Sequence, residues 1–327
     1  MNRVYGLAFS SSGEWLASGG FDQLIHVWEV ATQKKLRTFR GHQNEVWSVE
    51  FSSDDRFLLS SSKDGTIRLW EPRAEPLPKR WWLEPSDLPV GFAAEGQRFI
   101  SITTNGTTLR HWNGPRLLKT VPLQQFERTN GVGGRLLSPR SLNLLTGATN
   151  GTIYIHSAET GRMIRSLKVA DELYWLYALS PDDRWLAGSA KQAGDLGGLW
   201  VWDCTAGAPV ARFPEFGWPY DKAAFSRDGH FLAVGTTNHA IKVWDLGLHR
   251  CLHTITGHAW HALALGFSAD SRYLATGSWD GDARVWDLTT GKQVAGPLRG
   301  HGSGVDGVSF SPDGGRAPGE HSNAGRD

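Results

Sequence analysis

His42, Ser60 and Asp64 form one set of residues able to do chemistry, and His258, Thr276 and Asp280 form a second with the same order and spacing. Hydroxyl, imidazole and carboxylate are the groups of a nucleophilic relay, in which the imidazole takes the hydroxyl proton and the carboxylate orients the ring. A catalytic set is needed once, whereas this one recurs, each time followed by a tryptophan (Trp70, Trp286). Repetition therefore favours a structural role. His239, His249, His253, His258 and His261 cluster in sequence, yet no His-x-x-x-His pair lies on a helical pattern. Arg80-Trp81-Trp82 could stack nucleic-acid bases, but the flanking Pro76, Pro78 and Pro85 fit an outer edge strand better. Asp64-Gly65, Gly133-Gly134 and Gly197-Gly198 read as hairpin turns, and none opens a helix to cradle a phosphate. Cys204 and Cys251 supply neither a disulfide framework nor a thiolate zinc site. We expect no catalytic residue, no metal and no cofactor.

The elements that must position these residues follow from a repeat. The chain has 327 residues, 39 of them glycine and 16 tryptophan, a composition of tight turns and flat packing groups that favours β-structure. Lys and Arg number 34 against 33 Asp and Glu, so the net charge of +1 provides no global field toward nucleic acid or acidic membranes. No run resembles a secretory signal or a membrane span, and the expected location is cytoplasmic. Trp28, Trp70 and Trp112 are 42 residues apart, as are Trp202, Trp244 and Trp286; His156 holds the place between. A second marker keeps the same phase: Phe9-Ser10, Phe51-Ser52, Leu137-Ser138, Leu179-Ser180, Phe225-Ser226, Phe267-Ser268 and Phe310-Ser311. Within the second unit, residues 46–51, 57–61, 66–70 and 80–83 are short apolar or alternating runs divided by turn pairs, which predicts four antiparallel strands. Such units bury both faces only when stacked around a ring.

Gly41-His42 with Ser60, Asp64 and Trp70, Gly257-His258 with Thr276, Asp280 and Trp286, and the dipeptides Trp202-Asp203, Trp244-Asp245 and Trp286-Asp287 resemble the WD-repeat (WD40) β-propeller family. The resemblance covers residues 1 to about 311 and has a bacterial look in its terse Ser-Pro-Asp-Gly turns. It implies an all-β, seven-bladed β-propeller of four-stranded antiparallel blades, with inner strands such as Val4–Phe9 and Val46–Phe51 lining a central channel. It also implies that His42, Ser60, Asp64 and Trp70, like His258, Thr276, Asp280 and Trp286, form buried hydrogen-bond networks. The other units depart from this pattern. Unit one has Ser18, Asp22 and Trp28 without a Gly-His pair, unit three has Asn105 one residue out of register, and unit four has Thr146 and Asn150 with His156 in place of Trp. Units five and six have Ala170 and Phe216 where His is expected, and residues 191–198 make a long turn. The middle blades should rest more on apolar packing than on polar networks.

We expect residues 1–299 to form the propeller, 300–314 to begin an incomplete eighth repeat from Gly300-His301, and 315–327 to be a disordered tail. Function on a rigid disc is read from what its loops present. Residues at the starts of inner strands and before the turn Asp should ring one channel mouth: Arg3, Tyr5, Phe21, Glu45, Trp47, Lys63, Trp175, His261 and Trp279. Aromatics mixed with Arg and a few charges have the composition of a binding hot spot. The expected function is a non-enzymatic scaffold that binds a protein or peptide there, as a monomer or within a larger complex, with no specific nucleic acid and no membrane partner. The alternatives are a regulatory or targeting propeller belonging to a larger multidomain protein, such as a kinase or double propeller, and, less favoured, a propeller enzyme.

Overall fold

The computed structural model describes residues 4–73, 80–82, 87–92, 98–103, 106–113, 116–124, 135–138, 140–191, 197–216, 222–298 and 304–311. The side chains of the Trp81-Trp82 strand, the pair Gly300-His301 and the segment 315–327 lie outside the described residues. Among the described residues, 28 strands form seven four-stranded antiparallel sheets, each running in sequential order from inner to outer strand. This is the all-β, seven-bladed propeller that the repeat implied. In blade two, the inner strand is Val46–Phe51, followed by Leu58–Ser62, Ile67–Trp70 and Arg80–Trp82.

The Phe-Ser marker is the turn that closes the first hairpin of a blade. Ser52 is buried, its hydroxyl accepts the Phe57 N–H at 2.9 Å, and it donates to Asp54 at 2.6 Å. Ser180, Ser226 and Ser268 repeat both bonds, to Trp185 and Asp182, Phe231 and Asp228, and Tyr273 and Asp270. Three residues after the serine the backbone turns left-handed, at Gly13, Asp55, Asp183, Gly229 and Ser271. A buried hydroxyl that bridges both arms satisfies groups the tight turn would otherwise orphan.

The core lies in the seams between blades. Ala17, Ile25, Val27 and Phe39 of blade one pack on Val49, Phe51, Leu58 and Trp70 of blade two, and Ile241, Val243 and Ile255 of blade six meet Leu274 and Trp286 of blade seven. Sheets two to six thus bury both faces against their neighbours, as strands rich in Val, Ile and Leu require. Blade one sits tightly on blade two: a methyl group on Gly6 would lie 2.9 Å from the Ser48 backbone, so only glycine permits the approach.

Residues 304–311 lie between blades seven and one. Val305 N–H donates to the Ser278 carbonyl at 2.9 Å, and Val308 and Phe310 pack with Ala275 and Val285 of blade seven. Gly277 and Gly266 make room for Val305 and Val308, and Gly307 approaches Leu7 of blade one.

Candidate functional site

The two complete polar sets assemble as continuous networks. In blade two, Trp70 Nε1 donates to Ser60 Oγ at 2.8 Å, Ser60 Oγ lies 2.7 Å from His42 Nε2, and His42 Nδ1 lies 2.9 Å from Asp64 Oδ2. Blade seven repeats this with Trp286, Thr276, His258 and Asp280 at 3.0, 2.7 and 3.0 Å. The hydroxyl accepts from indole and gives its proton to Nε2, so the imidazole is a neutral ring with its proton on Nδ1, facing the carboxylate. Burial lowers the affinity of both histidines for a second proton. Burial alone would raise Asp64, but bonds from Thr66, the Gln43 N–H and His42 outweigh it and hold the carboxyl well below its ordinary range. Distances of this kind would suit a hydrolytic relay. Access does not: Ser60 and Thr276 are 1% and 0% exposed, and each hydroxyl is occupied by a tryptophan.

The incomplete sets have definable gaps. Trp28 reaches Ser18 at 3.3 Å, and Trp112 reaches Ser101 at 2.8 Å. In blades five and six the strand position that pairs with the residue two before the tryptophan is Gly188 or Val234, not a hydroxyl. The indole N–H groups of Trp202 and Trp244 are accordingly buried without a partner. A side chain at Gly188 would strike the Trp175 carbonyl at 2.9 Å and the Trp202 ring at 3.0 Å, so the packing excludes the missing hydroxyl. Among the described residues, no group of three or more His, Cys, Asp or Glu comes together as a metal site. Cys204, just past a third strand, is buried, and burial followed by the charge of Asp203 pushes its thiol up to about 12. Cys251 is exposed on an outer strand.

At the channel mouth, the strand direction puts the sequence-predicted aromatics on one face of the disc. Inner strands begin there and second strands end there. The inner strands of blades one, two, five and seven each carry a β-bulge near their start, at Tyr5, Trp47, Tyr174 and Leu263. A bulge re-aims the extra residue. Tyr5, Trp47 and Leu263 consequently line one cavity of about 330 Å³ with Lys222 and Asp306. Phe21, Trp47 and Trp279 are 52%, 52% and 43% exposed. Glu45 pairs with Lys63 at 3.2 Å, and the Trp279 N–H donates to the His261 carbonyl. Trp175 belongs to blade five, where the bulged residue is its neighbour Tyr174, and both are exposed. Arg3 lies outside the described residues.

Other residues of this face escaped the sequence reading. Trp260, 56% exposed, precedes His261; the rings of His239 and Trp260 are 5.7 Å apart, and those of His239 and His261 4.9 Å apart and perpendicular. Lys222 and Asp306 were also missed. Trp260 carried a signal, standing two residues after His258 as Asn44 stands after His42. At the other end of the channel, Glu50 lines a cavity of about 500 Å³ with Phe9, Arg227 and Phe310. Its side chain is exposed to that cavity, and desolvation by the surrounding channel wall pushes the carboxyl up to about 7.

The family model "WD domain, G-beta repeat" matches residues 2–29, 33–71, 222–245 and 249–287, the stretches of blades one, two, six and seven. The unmatched blades are those with the shifted Asn105, His156 in place of tryptophan and the long turn at 191–198. The chain is 47% identical over 38 residues to the U3 snoRNP-associated protein-like YAO of Arabidopsis thaliana, 12% of this chain and 8% of that one. It is 25% identical over 115 residues to the periodic tryptophan protein 2 homolog of Mus musculus, 35% of this chain and 12% of that one. The matched stretches thus span about a tenth of those relatives. In fold it is similar to the crystal structure of the computationally designed Ika8 protein, with a TM-score of 0.68 at 24% identity, over 94% of this chain and 91% of that one. With its period, its seven blades and its two complete networks, the chain is a seven-bladed β-propeller in which blades one, two, six and seven match the WD-repeat family model.

Proposed function

We propose that this protein is a non-enzymatic scaffold that binds a protein or peptide on the channel-mouth face. One observation carries the reading: among the described residues, the exposed large aromatics are Phe21, Trp47, Tyr174, Trp175, Trp260 and Trp279, and chain direction puts all six on that face. The exposed large residues of the outer strands are aliphatic: Leu36, Leu117, Leu118, Ile164 and Val294. Water gains little from an exposed indole, whereas burying one against a partner contributes about 2 kcal/mol or more. Tyr5, Glu45, Lys63 and His261 supply the polar groups of the same patch, and Arg3 joins them by sequence position. The polar sets that mimic a catalytic relay belong to the blade interior.

The test is quantitative affinity capture with the full chain, comparing Trp47→Ala, Trp279→Ala and a control such as Leu117→Ala on an outer strand. The two face variants should lose the same captured proteins, and the control should keep them. Equal capture by all three would overturn the reading.

A further inference from the structure

At the end of the channel away from the aromatic face, the repeat breaks its own rule at one position. The residue just before the marker Phe or Leu lies near the end of each inner strand. Blade two carries Glu50 there, and every other unit carries alanine, glycine, leucine or serine. A side chain type that recurs serves the fold, whereas a one-off charge on a channel wall points to a ligand. Glu50 is exposed to its cavity of about 500 Å³. Among the described residues its carboxylate has no hydrogen-bond or ion-pair partner, and desolvation alone raises its hold on a proton. The marker residues supply the surroundings. Phe267 of blade seven, Phe310 of the segment 304–311 and Phe9 of blade one line the same cavity and are half-buried, whereas Phe51 of blade two is buried. Arg227, exposed on the first turn of blade six, is the other titratable group of the described lining, and it forms no ion pair with Glu50.

We propose that this cavity is a binding site for a primary ammonium group on an alkyl stem, the chemistry of a lysine side chain or a free alkyl amine, with Glu50 as its anion. A carboxylate in a walled recess attracts a cation more strongly than one on open surface, because the low-dielectric walls focus its field. The faces of phenylalanine rings attract the same charge, and the rings cover methylene groups that water would otherwise surround. A metal ion fits less well: it would need several oxygen or nitrogen ligands, and among the described residues no such group comes together. The ammonium pairs with the ionised carboxylate, so binding competes with a proton on Glu50. Arg227 carries a like charge to the ligand and opposes binding.

The probes are pentylamine and Nα-acetyl-lysine methylamide, titrated into the full chain with ligand-observed NMR at pH 6 and pH 8, where both remain cationic. We expect saturable binding about tenfold tighter at pH 8, as the ionised fraction of a carboxyl at about 7 rises across that interval. Glu50→Gln should weaken binding about tenfold or more at pH 8 and remove its pH dependence. Arg227→Gln should bind as tightly as the parent or more so. Tighter binding of the blocked lysine assigns the site to a protein side chain, and tighter binding of pentylamine assigns it to a free amine. No saturable binding of either probe, equal binding of neutral pentanol, or equal affinity in Glu50→Gln would overturn the proposal. Loss of binding in Arg227→Gln would also overturn it, because the ligand would then need an anionic group as well. Trp47 and Trp279 line no part of this cavity, so this test and the capture test of the channel-mouth face fail separately.

Discussion

In blade seven the Thr276 hydroxyl accepts the Trp286 proton and gives its own to His258, whose other nitrogen faces Asp280. Removing any member strands the others in a buried site, where an unpaired polar group costs more than its bond contributed. Asp280→Ala should therefore lower stability by about 1–3 kcal/mol in chemical denaturation. Asn150, whose exposed side chain accepts from the nearby Thr152 N–H, should cost less than about 1 kcal/mol when replaced by Ala. Equal losses would show that the network has no special weight. Titration supplies a second check, with opposite signs at two sites. His42 and His258 are harder to protonate in the fold than at their ordinary 6.5, so they contribute stability above that pH that is lost as pH falls below it. Glu50 is the reverse. Its carboxyl, raised from 4.5 to about 7, holds its proton more tightly when folded, so its ionisation costs stability as pH rises from 4.5 to 7. Glu50→Gln should be more stable than the parent at pH 8 and equal to it at pH 4; a gap that grows toward acid would refute the assignment.

Each blade solves the same packing problem, which is why its elements were legible in the sequence. The tryptophan and Phe-Ser markers recur because a third strand must cover the next seam and a buried serine must close the first turn. The turns themselves differ in what their left-handed residue does. Asp55 accepts the N–H groups of Ser11 and Ser12 in blade one at 2.6 and 2.9 Å, tying two blades together, while Asp183 has a buried oxygen without a partner. A non-glycine residue in that backbone region pays about 1 kcal/mol. Asp183→Gly should thus leave stability unchanged or raise it by up to about 1 kcal/mol, and Asp55→Gly should lower it, because two inter-blade bonds go with the carboxylate. Thermal melts of the pair decide this. The channel-mouth bulges were less legible. Whether Tyr174 or Trp175 is the re-aimed residue depends on strand register, which the repeat count does not resolve. Lys222 and Asp306 were missed for the same reason, since a one-residue slip exchanges the side chain facing the channel for the one facing away. The hydroxyl gaps in blades five and six were half-visible: the missing histidines could be read directly, but that Gly188 stands where a hydroxyl would belong required the pairing.

Over the whole ring, the tryptophans of the described residues include two populations that composition cannot separate. One fills seams and anchors polar networks; the other stands on a single face with its rings about half exposed. The division underlies the scaffold reading, because a tryptophan that the fold does not need is available to a partner. Trp279 and Trp286 lie seven residues apart in one blade, the first in the turn after its second strand and the second in a seam, and are 43% and 4% exposed. Thermal unfolding of Trp279→Ala and Trp286→Ala, measured side by side, tests the division without any partner in hand. Truncating Trp286 should open a cavity and orphan the Thr276 network, at about 3–5 kcal/mol and a large fall in melting temperature. Truncating Trp279 should stay within about 0.5 kcal/mol of the parent. Comparable losses from the two would make Trp279 part of the core and contradict the account.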